Sequence, residues 1–357
     1  MKEILLRLIH VLVNICPEYK RKFGPRNHCG AFFLPLFMLQ CLIVVEVRRI
    51  CKGKEVIYIM KSKNKAIIYI TLSALGFATM SMFVKLAGDI PSIEKSFFRN
   101  LVAFFCAWFL LQKSGYGFQF EKKNLPYLVL RSTLGTIGIF CNFYAVDHLV
   151  LSDANMLNKL SPVFVIIFSY LFLKEKIAPF QAGAILIAFI GSLFIIKPTF
   201  SVVSLFPSAI GLLGGLTAGA AYTCVRYLGT RGERGPVIVM FFSGFSCLVT
   251  IPYLIFAYEP INLQQLLCLL GAGVAAACGQ FGVTAAYANA PAKEISIFDY
   301  SQILFSALYS IFLFGDIPDR YSILGYVIIC GMSVLNFLYN NGKLGFQKVD
   351  TPASANK

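Results

Sequence analysis

An otherwise apolar stretch near the middle of the sequence carries a stripe of polar residues. Their spacing of i, i+3, i+4 and i+7 puts them on one face of a helix, and they are Asn155, Asn158, Lys159 and Pro162. Pro162 lacks a backbone N–H and can therefore open the helix locally. The lysine cation and the two amides give this stripe the chemistry to bind a charged or polar solute.

A second apolar stretch carries another polar group, formed by Asp299, Tyr300 and Gln302. Asp299 stands 141 positions after Asn158, and Tyr300 stands 141 positions after Lys159. We predict that both groups face one central cavity. There, Lys159 and Asp299 bind the charged ends of a zwitterionic or polar solute, or pair with each other when it is absent. A buried ion pair with a purely structural role is the alternative.

The composition indicates that these stretches lie in lipid. Of the 357 residues, 57% are hydrophobic and 14% are charged, whereas soluble domains carry about a quarter charged residues. From Met60 onward the chain contains ten apolar blocks of roughly the length that crosses a ~30 Å hydrocarbon layer as a helix. Helices are expected because a segment in lipid must satisfy its own backbone groups. The blocks are about 65–87, 95–112, 125–146, 150–173, 179–197, 207–229, 236–257, 263–288, 294–314 and 321–340.

The ten blocks form two similar sets of five. Residues of like type recur at a constant offset of 141; the pairs include Phe104 and Phe245, Gly138 and Gly279, Lys85 and Arg226, Asp153 and Glu294, and Glu175 and Asp316. An odd number of helices per set turns the second set upside down, which is the plan of inverted-repeat transporters. We therefore predict an all-α integral membrane protein with ten transmembrane helices in two inverted five-helix repeats, residues 60–202 and 203–340, and a cytoplasmic tail at 341–357.

The net charge of +15 reports orientation rather than a nucleic-acid partner. Fifteen lysines and arginines occupy one alternating set of loops and the tail, and the opposite set holds only Lys95, Lys197 and Arg320. This positive-inside bias predicts a multi-pass protein of the cytoplasmic membrane, with both ends of the ten-helix unit in the cytoplasm.

Short motifs recur near the ends of the blocks. The first set carries Phe98-Arg99, Leu130-Arg131, Phe143-Tyr144-Ala145, Ser161-Pro162 and Leu173-Lys174-Glu175, and the second carries Phe314-Gly315-Asp316-Ile317-Pro318. With these motifs the chain resembles, over about residues 65–340, the EamA-type carriers of the drug/metabolite transporter superfamily; Asp316 stands where the family usually has a glutamate. The resemblance implies a ten-helix carrier that moves small organic solutes, commonly outward.

The resemblance also extends the set of candidate site residues. Arg99 and Arg131 match family positions, and we include them, together with Tyr144, among the residues expected at the central cavity. Glu175 and Asp316 lie at the turns after the fourth and ninth blocks, where a carboxylate caps a helix or pairs within a loop. We expect the Arg226 side chain, at the end of the sixth block, to extend to the membrane surface.

Residues 1–59 differ from the rest of the chain. Lys54-Glu55-Val56 can be encoded by a run of codons that contains a ribosome-binding sequence, a short distance before Met60. We therefore interpret 1–59 as an N-terminal extension that is upstream read-through, with translation starting at Met60. A genuine amphipathic segment or short extra helix is the alternative.

The sequence thus predicts a secondary active transporter that exports a small polar organic metabolite by alternating access; proton coupling and solute exchange are both open. A passive channel and a non-transporting structural or regulatory membrane protein are the alternatives. We expect no enzyme activity, cofactor or metal, since the sequence has neither a metal-ligand cluster nor a nucleotide-binding loop. The expected partners are a small-molecule substrate and the lipid bilayer, and the sequence does not specify an oligomeric state.

Overall fold

The computed structural model describes residues 62–114, 118–148, 157–196, 205–314 and 318–342. These residues form helices and the turns between them, and they include no strand. The extension at 1–59, nearly all of the tail at 341–357, and the predicted residues Asn155 and Asp316 lie outside the described residues.

Besides a short 3₁₀ turn at Lys122–Asn124, the described residues contain ten helical segments, which we label α1 to α10, and each of the ten overlaps one of the predicted blocks. Nine of them are α1 (Ser62–Ala87), α2 (Ser92–Lys113), α3 (Leu125–His148), α4 (Ser161–Leu173), α5 (Pro179–Ile196), α6 (Leu205–Thr230), α7 (Gly235–Ala257), α8 (Leu263–Asn289) and α10 (Arg320–Asn340). The composite segment α9 consists of an α-helical turn at Ala292–Ile295, a 3₁₀ turn at Ser296–Tyr300, an α-helix at Ser301–Tyr309 and a π-helical turn at Ser310–Phe314.

Six of the described helices are long and apolar enough to cross a membrane, namely α1, α6, α7, α8, α9 and α10. Two more, α4 and α5, are apolar but shorter. The chain is therefore a multi-pass membrane protein.

Local sequence signals set where several helices begin. At the start of α8, Asn262 Oδ1 accepts a hydrogen bond from the Gln265 backbone N–H at 2.8 Å, and Gln265 Oε1 accepts from the Asn262 N–H at 2.9 Å. This reciprocal capping box satisfies two N–H groups that the helix itself leaves without partners. Asp319 caps α10 in the simpler way, by accepting from the Ser322 N–H at 3.0 Å.

Two long pairs of helices pack with their chain directions opposed. In the first pair, Ser73 of α1 donates a hydrogen bond to the Gly279 carbonyl of α8, and Met82, further along α1, clusters with Ala272, earlier in α8. In the second pair, α3 and α6, Gly138 lies beside Thr217, and Ala145 lies beside Gly211. Small residues at these contacts let the helix backbones approach closely.

The helices α4 and α9 are both interrupted at the positions that the sequence singles out. Leu157 and Asn158 are helical, Lys159 and Leu160 form a turn, and α4 begins only at Ser161. The helix is thus opened at the place where Pro162 was expected to open it. Pro162 supplies the reason, because it has no N–H to donate to the Asn158 carbonyl. In α9, Asp299 and Tyr300 lie in the 3₁₀ turn.

Candidate solute-binding cavity

A cavity of about 150 Å³ lies where α1, α2, α3, α4, α6, α7, α8 and α9 meet. Six of the nine predicted site residues line it: Arg99, Arg131, Asn158, Lys159, Asp299 and Gln302. Both members of the predicted cation–anion pair thus reach the same space. The two polar groups that the offset of 141 residues relates therefore lie at the same cavity.

Lys159 contacts two groups of α9 across this cavity. Its Nζ donates a hydrogen bond to Gln302 Oε1 at 2.7 Å and lies 3.5 Å from Asp299 Oδ2. The side chains of Lys159 and Asp299 are 10% and 13% exposed. Because both charges are largely removed from water, each needs the other, and the amide of Gln302 completes the surroundings of the ammonium group.

Tyr300 supports the break in α4 from below the cavity. In a regular helix the Lys159 carbonyl would accept from the Val163 N–H, but that N–H bonds to the Leu160 carbonyl at 3.0 Å. The fully buried Tyr300 donates from Oη to the freed Lys159 carbonyl at 3.0 Å. Tyr300 therefore holds the backbone of the site rather than facing the solute.

Arg131 enters the cavity from α3 and stacks on an aromatic ring. The centre of its guanidinium lies 4.1 Å from the centroid of the Phe242 ring of α7, and the residue is 2% exposed. Gly135, one turn further along α3, leaves the space for this arrangement, because a Cβ there would lie 2.2 Å from Arg131 Nη1. Stacking on a ring face stabilises the cation but leaves the in-plane donors of the guanidinium directed elsewhere.

Sequence reasoning missed Tyr222 of α6 and Gln280 of α8, which also line the cavity. The repeat could not reveal them, since the positions 141 residues earlier are Ser81 and Ile139. For Gln280 the sequence does offer another signal, because a lone amide within an apolar membrane helix is costly and marks a functional position.

Tyr144 does not line the central cavity, so that prediction is corrected. It lies on a second, mainly apolar cavity of about 520 Å³ between the ends of α2, α3, α6 and α7. Its ring stacks on His148 with centroids 4.0 Å apart. The residue is one helical turn from the end of α3, and the helix turns its side chain away from the face that carries Arg131.

The predicted turn carboxylate Glu175 joins the two halves of the chain. Its Oε1 accepts from Arg226 Nε at 3.0 Å, and Arg226 Nη1 donates to the carbonyls of Tyr287 and Ala288 at 3.4 and 3.3 Å. The expectation that Arg226 extends to the membrane surface was wrong, because this carboxylate and the C-terminal carbonyls of α8 lie nearer. We call the ends of the helices around this pair the Glu175 end.

Further contacts between the halves cluster at the Glu175 end. Gln181 of α5 donates to Asn340 of α10 at 2.8 Å, and Asn124, just before α3, donates to Glu233 at 3.0 Å. The guanidinium of Arg231 lies over the ring of Tyr127 in the other half and over the ring of Tyr227 in its own half. The contacts of Gln181 with Asn340, of Asn124 with Glu233 and of Arg231 with Tyr127 join different halves, so they must break together if the halves separate here.

A bundle of apolar helices around a charged internal cavity, with broken helices at the charged residues, defines a membrane transport protein. The chain belongs to the EamA-like transporter family, whose model matches it twice, at residues 64–197 and 206–338. The members it resembles are transporters and not enzymes.

Individual relatives agree with this assignment. The chain is 31% identical over 269 residues to the pseudopaline exporter CntI of Pseudomonas aeruginosa, covering 74% of this chain and 93% of that protein. It is 27% identical to solute carrier family 35 member G1 of Homo sapiens, covering 75% and 77% of the two chains. A crystal structure that covers 77% of this chain matches it with a TM-score of 0.69 at 13% identity and 98% coverage of its own chain, which shows a shared fold.

Proposed function

We propose that this protein is a secondary active transporter that exports a small polar organic metabolite across the cytoplasmic membrane. The observation that carries the proposal is the pair formed by Lys159 and Asp299, which come from different halves and meet at a cavity in the middle of the bundle. A solute in that cavity touches both halves at once, so a movement of one half against the other moves the access path around a fixed site. The exporter among the relatives supports the outward direction.

The proposed architecture is ten membrane crossings in two inverted repeats, residues 60–202 and 203–340. Its support comes from two equivalent helix pairs. In the five-helix repeat α1 corresponds to α6 and α8 corresponds to α3, so the pair α1 and α8 is equivalent to the pair α6 and α3. The two helices of each pair run in opposite directions. The C-terminal ends of α6 and α8 meet, since Arg226 contacts Ala288. Helix α8 therefore runs in the direction opposite to α1 and in the same direction as α6. This implies that the equivalent helices α1 and α6 run in opposite directions.

We assign the Glu175 end to the cytoplasm, because most lysines and arginines of the loops lie at that end. Ion-pair and hydrogen-bond contacts between the halves hold this end together. This supports an interpretation of the structure as a state that is shut toward the cytoplasm. Export then requires these contacts to open and admit the solute.

Counterflow in proteoliposomes tests the proposed function. Vesicles loaded with a mixture of amino acids, nucleosides and vitamins are diluted, and uptake of each labelled compound is measured with and without a pH gradient. We expect at least one compound to enter faster when it is also present inside, because a carrier returns more quickly when loaded. Uptake without this stimulation would indicate a channel, and no uptake above protein-free vesicles would contradict transport.

Locking the Glu175 end is expected to stop transport. In a protein with Glu175→Cys and Arg226→Cys, a short bismaleimide would link two positions whose native side chains meet at 3.0 Å. The link prevents separation of the halves at this end, so counterflow should fall to the level of protein-free vesicles. Each single cysteine variant treated with the same reagent is the control. Unchanged counterflow in the linked protein would show that this end does not open.

A further inference from the structure

The charges that line the central cavity do not balance. Three cations reach it, Arg99, Arg131 and Lys159, and among the lining residues Asp299 is the one anion. Lys159 and Asp299 neutralise each other at 3.5 Å. The cavity is thus left with two guanidinium charges, each of which costs several kcal/mol to hold within a membrane unless something compensates it.

Neither arginine has a carboxylate partner within the part of the chain that the structure describes. Asp299 pairs with Lys159, and Glu175 pairs with Arg226. Arg131 is 2% exposed, its Nε has no hydrogen-bond acceptor, and Nε2 of the neighbouring Gln280 also has none. Both of these donors belong to residues that line the cavity. A buried donor without an acceptor is unfavourable, so this arrangement is suited to a ligand that supplies acceptors.

We propose that Arg99 and Arg131 form an anion subsite and that the transported solute carries an oxyacid group, a carboxylate or a phosphate. This rests on the proposed transport function and names the substrate class of the same cavity. A guanidinium matches the two oxygens of such a group with two parallel N–H donors, which an ammonium cannot do. The Phe242 ring fixes the plane of the Arg131 guanidinium in advance, so less freedom is lost on binding.

The geometry of the cavity limits what the subsite holds in this conformation. Its volume of about 150 Å³ equals that of an engineered protein cavity that binds benzene, a molecule of six heavy atoms. An oxyacid group with a short carbon chain fits this space. The Lys159–Asp299 pair beside it offers the remainder of the solute a donor and an acceptor.

Thermal unfolding of the purified protein in phosphatidylcholine nanodiscs, a lipid without net charge, tests the subsite. The probes are glutarate against its neutral analogue glutaramide, and glycerol 3-phosphate against glycerol, each at millimolar concentration. We expect the acids to raise the melting temperature of the wild-type protein and the neutral analogues to leave it unchanged. For the variant Arg131→Gln we expect the apparent affinity for the acids to fall roughly 10- to 100-fold, the range for a lost hydrogen bond to a charged group.

Two further variants separate the subsite from general effects. Gly135→Ala keeps the charge but displaces the guanidinium, since its Cβ would meet Arg131 Nη1 at 2.2 Å, so it should also weaken acid binding. Arg320→Gln removes one exposed cation far from the cavity and should bind the acids as the wild type does. Without a probe, Arg131→Gln should melt no lower than the wild type, because it removes an uncompensated buried charge.

Each outcome decides between the possibilities. Stabilisation by glutarate alone identifies a carboxylate subsite, and stabilisation by glycerol 3-phosphate alone identifies a phosphate subsite. Equal effects of acids and neutral analogues, no effect of either acid, or undiminished acid binding by Arg131→Gln would overturn the inference and leave the transport proposal intact. Absence of counterflow for every compound would contradict the transport proposal whatever the melting temperatures show.

Discussion

Lys159→Ala is expected to reduce solute transport by on the order of 100-fold, while the amount of protein in the membrane stays near the wild-type level. The variant removes a cation that contacts Gln302 at 2.7 Å and Asp299 at 3.5 Å in the cavity. Asp299 loses its partner, but it lines a cavity that still holds the Arg99 and Arg131 cations, so we expect the variant to remain folded. Counterflow in proteoliposomes measures the loss of transport, and the quantity of folded protein extracted from membranes measures the amount of the variant.

A double variant distinguishes a binding role from a structural one. If Lys159 and Asp299 only join the halves, then Lys159→Met combined with Asp299→Leu should keep transport and be at least as stable, because an apolar pair avoids the desolvation of two charges. If they bind solute, the same protein should be equally well folded but inactive. Wild-type counterflow in either Lys159→Ala or the double variant would remove this pair from the site.

Gly76→Val is expected to have the largest effect on folding among the substitutions considered. Gly76 of α1 packs directly on the backbone of α8: a Cβ at this position would lie 2.7 Å from the Gly279 nitrogen and 2.9 Å from the Ala275 carbonyl oxygen. Backbone atoms cannot move aside as a side-chain end can, so the two helices must separate. Overpacking typically costs about 1–3 kcal/mol, and here it disturbs the direct backbone contact of α1 with α8.

The control for this prediction is Gly331→Val in α10. No heavy atom lies within 4 Å of a Cβ at Gly331, so the same change of side chain meets open space. We expect the melting temperature and the membrane yield of Gly76→Val to fall clearly, and those of Gly331→Val to stay near the wild type. Equal behaviour of the two variants would show that the close contact of α1 and α8 does not limit stability.

Much of the architecture could be predicted because it depends on local properties of the chain. Hydropathy depends on neighbouring residues only, and each of the ten apolar blocks overlaps a described helical segment. The offset of 141 residues relates Asn158 and Lys159 to Asp299 and Tyr300, and in the structure Lys159 contacts both Asp299 and Tyr300. A repeat constrains positions far apart in sequence, which local patterns alone cannot do.

The orientation of side chains around the helices was harder to predict. In a soluble helix an apolar stripe marks the inward face, but helices in lipid are apolar on every side and the stripe disappears. For this reason Tyr144 was assigned to the wrong cavity, and Tyr222 and Gln280 were missed. Arg226 was misjudged for a related reason, since its partner Glu175 lies on another helix.

The sequence by itself determined that this protein lies in a membrane, that its helices come in two related sets, and that charged residues lie within the fourth and ninth apolar blocks. The cost of burying polar groups in lipid makes such residues conspicuous in any apolar segment. The offset of 141 residues also predicted that Lys159 and Asp299 meet. Only the tertiary structure decided how the other charges are arranged. It paired Arg226 with Glu175, and it left Arg99 and Arg131 at the cavity without a carboxylate partner of their own among the described residues, because pairing depends on distances between helices that no local pattern encodes.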